Sequence, residues 1–466
     1  MTENYRIEAI ALHEVGVFDD VRIDFPPIAS PERDAGKAEI HVFTGPNGCG
    51  KSTLLYALAE IFCPISPPLG LIERRFRNSM SHADFKFFGD AGYYGAKPFE
   101  NNSGKQSNEF GEYDIQYNNH NSASFFGFNI ASYHQRQDWL SLATYKQAPQ
   151  NFQTSRPSLL PPKAHYAAFA YSGQRTLSKI KLGAIQEISS SPFESALSFD
   201  STVRPQVLLQ WIANNRAQSA LAKADGDLES AKRYDLALAR ITQAIREICD
   251  LDIEFRLERQ PLAVTLRVAN DIVQFDTLPD GLKSIISWIG DLSVRLEMIP
   301  WVDQSRDIFA QNLILFLDEI DIHLHPRWQR KILPVVQKLF PNSQIFVSTH
   351  SPFVVGSVED AWIYQLPEKG KQTERVIKPV PSGAGKSYRL ILEEIFDIDK
   401  EFDVETEALF DLFYQHRQAL LKSRRGESEL LDAARELAAK GEETRAIVER
   451  ELRQISRLTG RDIHLA

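Results

Sequence analysis

Cysteine is scarce in this 466-residue chain: Cys49, Cys63 and Cys249, with no CxxC spacing. An odd count without paired spacing excludes a disulfide framework and a thiolate zinc site, and it leads us to expect a reducing, cytoplasmic setting. Long apolar runs are lacking too. No stretch approaches the roughly 20 residues a membrane helix needs, and the N-terminus, MTENYRIEAIALHEVG, breaks its first apolar segment with acids. Neither a signal peptide nor a membrane partner is expected. Excess positive charge is also absent, the formal net charge being -9, which argues against a surface coated for indiscriminate nucleic-acid binding. Nucleic acid stays open as the ligand of a local groove or of a larger complex. What is present is a globular balance, 43% hydrophobic and 25% charged, in a chain longer than one ordinary domain.

The pattern along the chain predicts an α/β fold. Residues 5–25 read as a β-hairpin around Gly16, Asp19 and Asp20. A buried strand, Glu39 to Phe43, runs through a glycine-rich turn into an apolar helix, Leu54 to Phe62. From Cys63 to Pro162 the composition shifts to Asn, Ser, Gly, Phe and Tyr, which reads as an insertion with a small local core. Ala167 to Tyr171 is strand-like, 207–249 helical, 253–275 strand-rich, and a helix is expected from about Leu282 to Leu296. Two further apolar strands follow, Leu313 to Leu317 and Gln344 to Ser348, before a charged helical tail. The expected layout is an α/β lobe beginning with the glycine-rich turn (1–65), the insertion (66–162), a lobe strand with a short helical insert (163–252), the remainder of the lobe (253–380) and a helical C-terminal region (381–466).

Three segments carry chemistry. Gly45-Pro46-Asn47-Gly48-Cys49-Gly50-Lys51-Ser52-Thr53 matches GxxxxGK[ST] between a strand and a helix. Backbone N–H groups from Asn47 to Thr53 would cradle phosphates, Lys51 would reach the β and γ phosphates, and Ser52 would ligate Mg²⁺. Leu313-Ile314-Leu315-Phe316-Leu317-Asp318-Glu319 is an apolar strand that delivers two acids to a sheet edge. Asp318 would hold Mg²⁺ through water, and Glu319 would orient and deprotonate the attacking water. Gln344 to Ser348 is a second such strand, after which His350 would sense the γ phosphate. Ser382-Gly383-Ala384-Gly385-Lys386-Ser387 also ends in GKS, but Val380 stands where the first glycine belongs, and a flexible linker is expected there.

These residues resemble the ABC ATPases of the SMC and RecF class, in which other domains separate the phosphate loop from the acidic strand. The resemblance implies ATP and Mg²⁺ as cofactors and two ATP sites completed when two copies meet face to face, with higher oligomers open. It makes Asp321 to His325 a turn crossing that interface, and Leu278-Pro279-Asp280-Gly281-Leu282-Lys283-Ser284 a signature segment in which Gly281 and Ser284 serve the partner's nucleotide. Pro279 departs from the family pattern by occupying its serine position. Gln174 is the candidate for the glutamine that watches Mg²⁺ and the water. His323 and His325 lack a third ligand nearby, so they read as part of the turn. More narrowly, Asp318 to Pro326 with Thr349-His350-Ser351-Pro352 is similar to the ATPase subunits of Septu anti-phage systems and their retron-linked relatives, which implies an HNH nuclease subunit as partner. A RecF-like ATPase clamping DNA directly and an OLD-like protein are the alternatives.

Overall fold

The computed structural model describes residues 5–27, 36–62, 71–87, 90–96, 105–118, 125–128, 163–173, 182, 184–371, 374–382, 385–423 and 426–465. Two compact units divide the chain, Met1–Ile391 and Leu392–Ala466.

The strands of the first unit run in chain order as β1 (Ile7–Val15), β2 (Phe18–Asp24), β3 (Glu39–Thr44), β4 (His82–Phe87), β5 (Asp90–Gly95), β6 (Lys105–Asn108), β7 (Gly111–Asn118) and β8 (Phe125–Phe128). There follow β9 (Ala167–Tyr171), β10 (Ile253–Arg259), β11 (Leu262–Val268), β12 (Asp271–Gln274), β13 (Leu313–Leu317), β14 (Ser343–Ser348), β15 (Ala361–Gln365), β16 (Val376–Ile377) and β17 (Val380–Pro381). Among the described residues they form an eight-stranded sheet, β16-β2-β1-β4-β5-β8-β7-β6, a three-stranded meander, β10-β11-β12, and a six-stranded sheet, β17-β15-β3-β14-β13-β9.

The six-stranded sheet positions the site. Every residue of β3, β9, β13 and β14 is buried, as parallel strands covered on both faces require; β9 and β13 are therefore unbroken apolar runs, while β3 and β14 also bury the polar residues Glu39, His41, Ser343, Gln344 and Ser348. Their registers bring the C-terminal ends level: Phe43 opposite Ser348, Val347 opposite Leu317, and Leu317 opposite Tyr171. The open edge of β9 is covered by the segment after it, with Ala170 N donating to Ala196 O at 2.9 Å and Ser172 N to Phe199 O at 3.3 Å.

The eight-stranded sheet modifies one expectation. The first part of the polar, aromatic region does not form a core of its own: β4 pairs with β1 and β5 with β4, so residues 82–95 extend the N-terminal hairpin. Phe85, Phe87 and Tyr93 are buried there.

Helix α1 (Lys51–Glu60) follows the phosphate loop. Helices α2 (Pro205–Ala224) and α3 (Leu228–Cys249) follow one another in the stretch read as helical; Asp227 caps α3 by accepting from Ser230 N at 3.0 Å. Helix α4 (Asp280–Met298) is buried along nearly its whole length. It is held by a buried polar cluster: Arg295 Nε donates to Asp291 Oδ2 at 2.6 Å, and Tyr171 OH donates to the same oxygen at 3.0 Å. The other guanidinium nitrogens of Arg295 donate to the carbonyls of Pro192, Glu194 and Thr202, so α4, β9 and the 192–204 segment are tied together. Helix α5 (Pro326–Leu339) precedes β14, and α6 (Tyr388–Phe396) spans the division between the units. The expected linker at 382–387 lies between β17 and α6; Ser382 N donates to Ala361 O at 2.8 Å, and residues 383–384 lie outside those described.

The second unit contains α7 (Val404–Ser423), α8 (Glu427–Lys440) and α9 (Glu442–Thr459). Leu430, Ala434 and Leu437 of α8 and Val448, Leu452 and Ile455 of α9 pack with Phe410, Phe413 and Leu420 of α7. The apolar side chains of α8 and α9 are thus largely consumed inside the unit, while Leu458 of α9 is 63% exposed.

Candidate functional site

The phosphate loop leaves β3 at Thr44 and enters α1 at Lys51. Gly45, Gly48 and Gly50 adopt φ of 146°, 78° and 102°, which residues with a side chain rarely adopt. At Gly50 a Cβ would also lie 2.5 Å from Phe18 Cζ, so the β1–β2 turn and the start of α1 can meet only across a glycine. Lys51 Nζ reaches back over the loop, donating to Gly45 O at 2.9 Å and Pro46 O at 3.0 Å. Asn47 and Gly48 are exposed and Ser52 is half-buried. Cys49 is buried, its Sγ 3.7 Å from Lys51 Nζ. Thr53 turns its hydroxyl away from the loop and accepts from Arg75 Nη1 at 2.6 Å.

Beside this loop stand the ends of β14 and β13. Ser348 couples the two acids: its hydroxyl donates to Asp318 Oδ1 and accepts from Glu319 N at 2.8 Å. Asp318 is buried. Glu319 has φ of 49°, a strained conformation for a non-glycine residue of the sort that collects at functional sites. Partial burial, reinforced by Asp318 and Asp321, raises the pKa of Glu319 above the usual carboxylate value. His350 is exposed at the same edge; burial of part of its ring and the nearby Lys51 charge lower its pKa, which favours the neutral imidazole. Thr349 Oγ1 donates to Asp321 Oδ1 at 2.5 Å, and Gln329 Nε2 donates to Asp321 O and Leu324 O at 3.2 and 3.0 Å, which fixes the turn after the acids.

The structure therefore brings Lys51, Ser52, Asp318, Glu319 and His350 to one sheet edge. Gln174 lies outside the described residues. Gly281 and Ser284 lie in the first turn of α4, but both are buried. A Cβ on Gly281 would lie 2.5 Å from His323 O and 3.1 Å from Trp328 Cζ3, so the helix start packs against the 321–325 turn of its own chain. What this corner offers to another molecule is Pro279, Asp280 and Lys283 rather than the Ser284 hydroxyl. The sequence reading missed Ser348, whose clue was a small hydroxyl residue ending a buried strand beside the acidic one.

A family model described as an AAA domain matches residues 9–255, just over half of the chain. The chain belongs to the AAA domain family. A second AAA domain model matches residues 171–356, so the two together span the phosphate loop and both strand ends. This AAA domain chain is 34% identical to the "Retron Ec83 probable ATPase" of Escherichia coli, over 31% of its own length and 25% of that protein's. It is 28% identical to the "Septu protein PtuA" of Bacillus thuringiensis, over 41% of its own length and 52% of that protein's. The chain thus spans from a quarter to about half of these curated relatives. Among solved structures, the SMC head domain from Thermotoga maritima aligns with 81% of the chain and 100% of that domain at 12% identity, with a TM-score of 0.36. No described helix is long and apolar enough to cross a membrane.

Proposed function

We propose that the chain hydrolyses ATP at the edge where β3, β14 and β13 end, that two copies close face to face around two ATP molecules, and that the assembly controls a nuclease subunit in defence against phage. The observation that carries the ATPase reading is the Ser348 bridge: beside a phosphate loop, one hydroxyl donates to the Asp318 carboxylate and accepts from the Glu319 backbone N–H. Lys51 would neutralise phosphate charge. Glu319, ionised, would accept the proton of the attacking water, and neutral His350 would donate to a γ-phosphate oxygen. Ser52 and Asp318 supply hard oxygen donors, the set Mg²⁺ prefers. Bound Mg²⁺ would contribute electrostatic stabilisation of the phosphates. The defence role and the nuclease partner rest on the likeness to the proteins named Septu and retron ATPases. Face-to-face pairing is supported by the packing of the α4 start on the 321–325 turn, which gathers the two expected interface elements on one corner.

Phosphate release and ATP binding by the full chain test the site. Lys51→Ala should lose ATP binding. Glu319→Gln should bind ATP and lose roughly 10²- to 10⁴-fold in turnover, the range typical of a lost general base. Wild-type ATP affinity in Lys51→Ala, or wild-type turnover in Glu319→Gln, would refute the assignment.

A further inference from the structure

The ends of β9 and β13 are tied at the backbone: Asp318 N donates to Tyr171 O at 2.8 Å. Just beyond, the exit of β9 walls in the other acid. A Cβ on Gly173 would lie 2.7 Å from Glu319 O and 3.0 Å from Glu319 Cβ, so the two segments touch across a glycine. Glu319 keeps its left-handed φ only while its surroundings over-determine it. Those surroundings are Ser348 Oγ, which accepts from its N–H at 2.8 Å, Ile322 N, which donates to its carbonyl at 3.2 Å, and this exit of β9.

The position of β9 is set from α4. Asp291 of that helix is buried and accepts from Tyr171 OH and Arg295 Nε on Oδ2, and from Arg204 N and Arg204 Nε on Oδ1 at 3.1 and 3.3 Å. Phe169 and Tyr171, two residues apart, face the same side of β9, and the Arg295 guanidinium carbon lies 5.8 Å from the Phe169 centroid, within cation–π range. The 192–204 segment that Arg295 pins leads back to the site. Phe199 O accepts from Ser172 N, and the Phe199 ring centroid lies 4.2 Å from that of Tyr56 on α1. Packing alone does not call for this set: buried ion pairs are often replaced by apolar residues of similar volume with no loss of stability, and a phenylalanine at 171 would fill the same space. What the Asp291 carboxylate adds is a fixed place for the Tyr171 hydroxyl.

We propose that Asp291 is a positioning residue for ATP hydrolysis: by holding the Tyr171 hydroxyl it fixes the end of β9, and with it the backbone of Asp318 and Glu319 from which the two carboxylates are presented. The proposal rests on the ATPase reading above. Tyr171→Phe keeps the ring and removes only the hydroxyl. In the full chain, kcat per bound ATP should fall roughly ten- to hundredfold, the scale of a misplaced reacting group, while KM for ATP stays at the wild-type value. A merely structural hydroxyl would lower the melting temperature and leave kcat per bound ATP unchanged. Wild-type kcat therefore overturns the proposal whatever the melting temperature, and so does a raised KM, because the hydroxyl would then serve packing or ATP binding. Should Tyr171→Phe fail to fold, Gly173→Ala decides. Its Cβ would press on Glu319 O, so kcat should fall with ATP affinity retained, and an unchanged kcat overturns the proposal. Lys51→Ala separates the two readings. If Lys51→Ala hydrolyses ATP like wild type, the ATPase reading falls and the proposal with it; if Lys51→Ala is inactive while Tyr171→Phe is fully active, only the Asp291 proposal falls.

Discussion

Two carboxylates, Glu319 and Glu39, depart from ordinary behaviour in opposite directions, and each departure has a measurable consequence. Glu319 must be ionised to accept a proton, and its pKa is raised by burial and by Asp318 and Asp321. Proton uptake therefore begins at a higher pH than for a solvated glutamate, and turnover should fall on acidification before the normal carboxylate range is reached. A kcat–pH profile checks this; constant kcat down to the ordinary range would contradict the base role. Glu39 lies on β3 at the opposite end of the sheet from the site. Burial alone would raise its pKa, but His41 Nε2 at 2.7 Å and Arg6 Nη2 at 2.5 Å outweigh it and lower the pKa to about 2. A depressed folded-state pKa means stability that is full above the unfolded-state value and lost as pH falls toward about 2. Glu39→Gln should cost about 3 kcal/mol at neutral pH, the lower part of the range for breaking a buried pair. In urea melts that deficit should shrink on acidification, and an unchanged midpoint at pH 7 would refute it.

Elements were legible in the sequence where burial is two-sided. The strands at Ala167–Tyr171 and Leu313–Leu317 coincide with the expected ones residue for residue, because parallel strands covered on both faces are apolar throughout. β15 escaped notice because AWIYQ ends in a polar residue and lies near an edge. The eight-stranded sheet escaped because KQSN has no apolar residue at all, and the alternation of Tyr113, Ile115 and Tyr117 in GEYDIQYN stood inside a stretch whose polar composition read as an insertion. Side-chain partnerships such as Ser348 with Asp318, or Tyr56 with Phe199, join residues far apart in the chain, and no local pattern encodes them. The burial of Ser284 was likewise invisible, since α4 is apolar or buried on all sides. Its neighbour Gly281 offers a test at this scale. In Gly281→Ala the new Cβ meets a backbone carbonyl, His323 O, at 2.5 Å, and backbone cannot swing aside as a flexible side chain can. We expect a loss of about 1–3 kcal/mol, typical of overpacking, with turnover reduced because the 321–325 turn must shift. Wild-type stability and turnover together would show that the close approach is not needed.

The division into two units bears on which part of the chain carries which task. Every site residue identified above lies in the first unit, and the second unit has its own core of Phe413, Leu430, Leu437, Leu452 and Ile455. Because the apolar side chains of α8 and α9 are spent on that core, the apolar surface left for another chain includes Leu412, Tyr414 and Leu421 on α7, with Leu458 on α9, which are 37–63% exposed. Removing the bundle separates an ATPase role from a docking role only if the cut spares the first unit. A stop near Val380 would not, since β17 pairs with β15 there and Ser382 N donates to Ala361 O. A stop after Lys400 keeps α6 whole and deletes α7 to α9. We expect this shortened protein to retain ATP binding and a cooperative melt, because the six-stranded sheet and both strand ends are intact, and to lose co-purification with the proposed nuclease subunit. If nuclease binding persists, the bundle is not its docking surface. If only the oligomeric mass measured by light scattering falls, the bundle binds copies of its own chain instead.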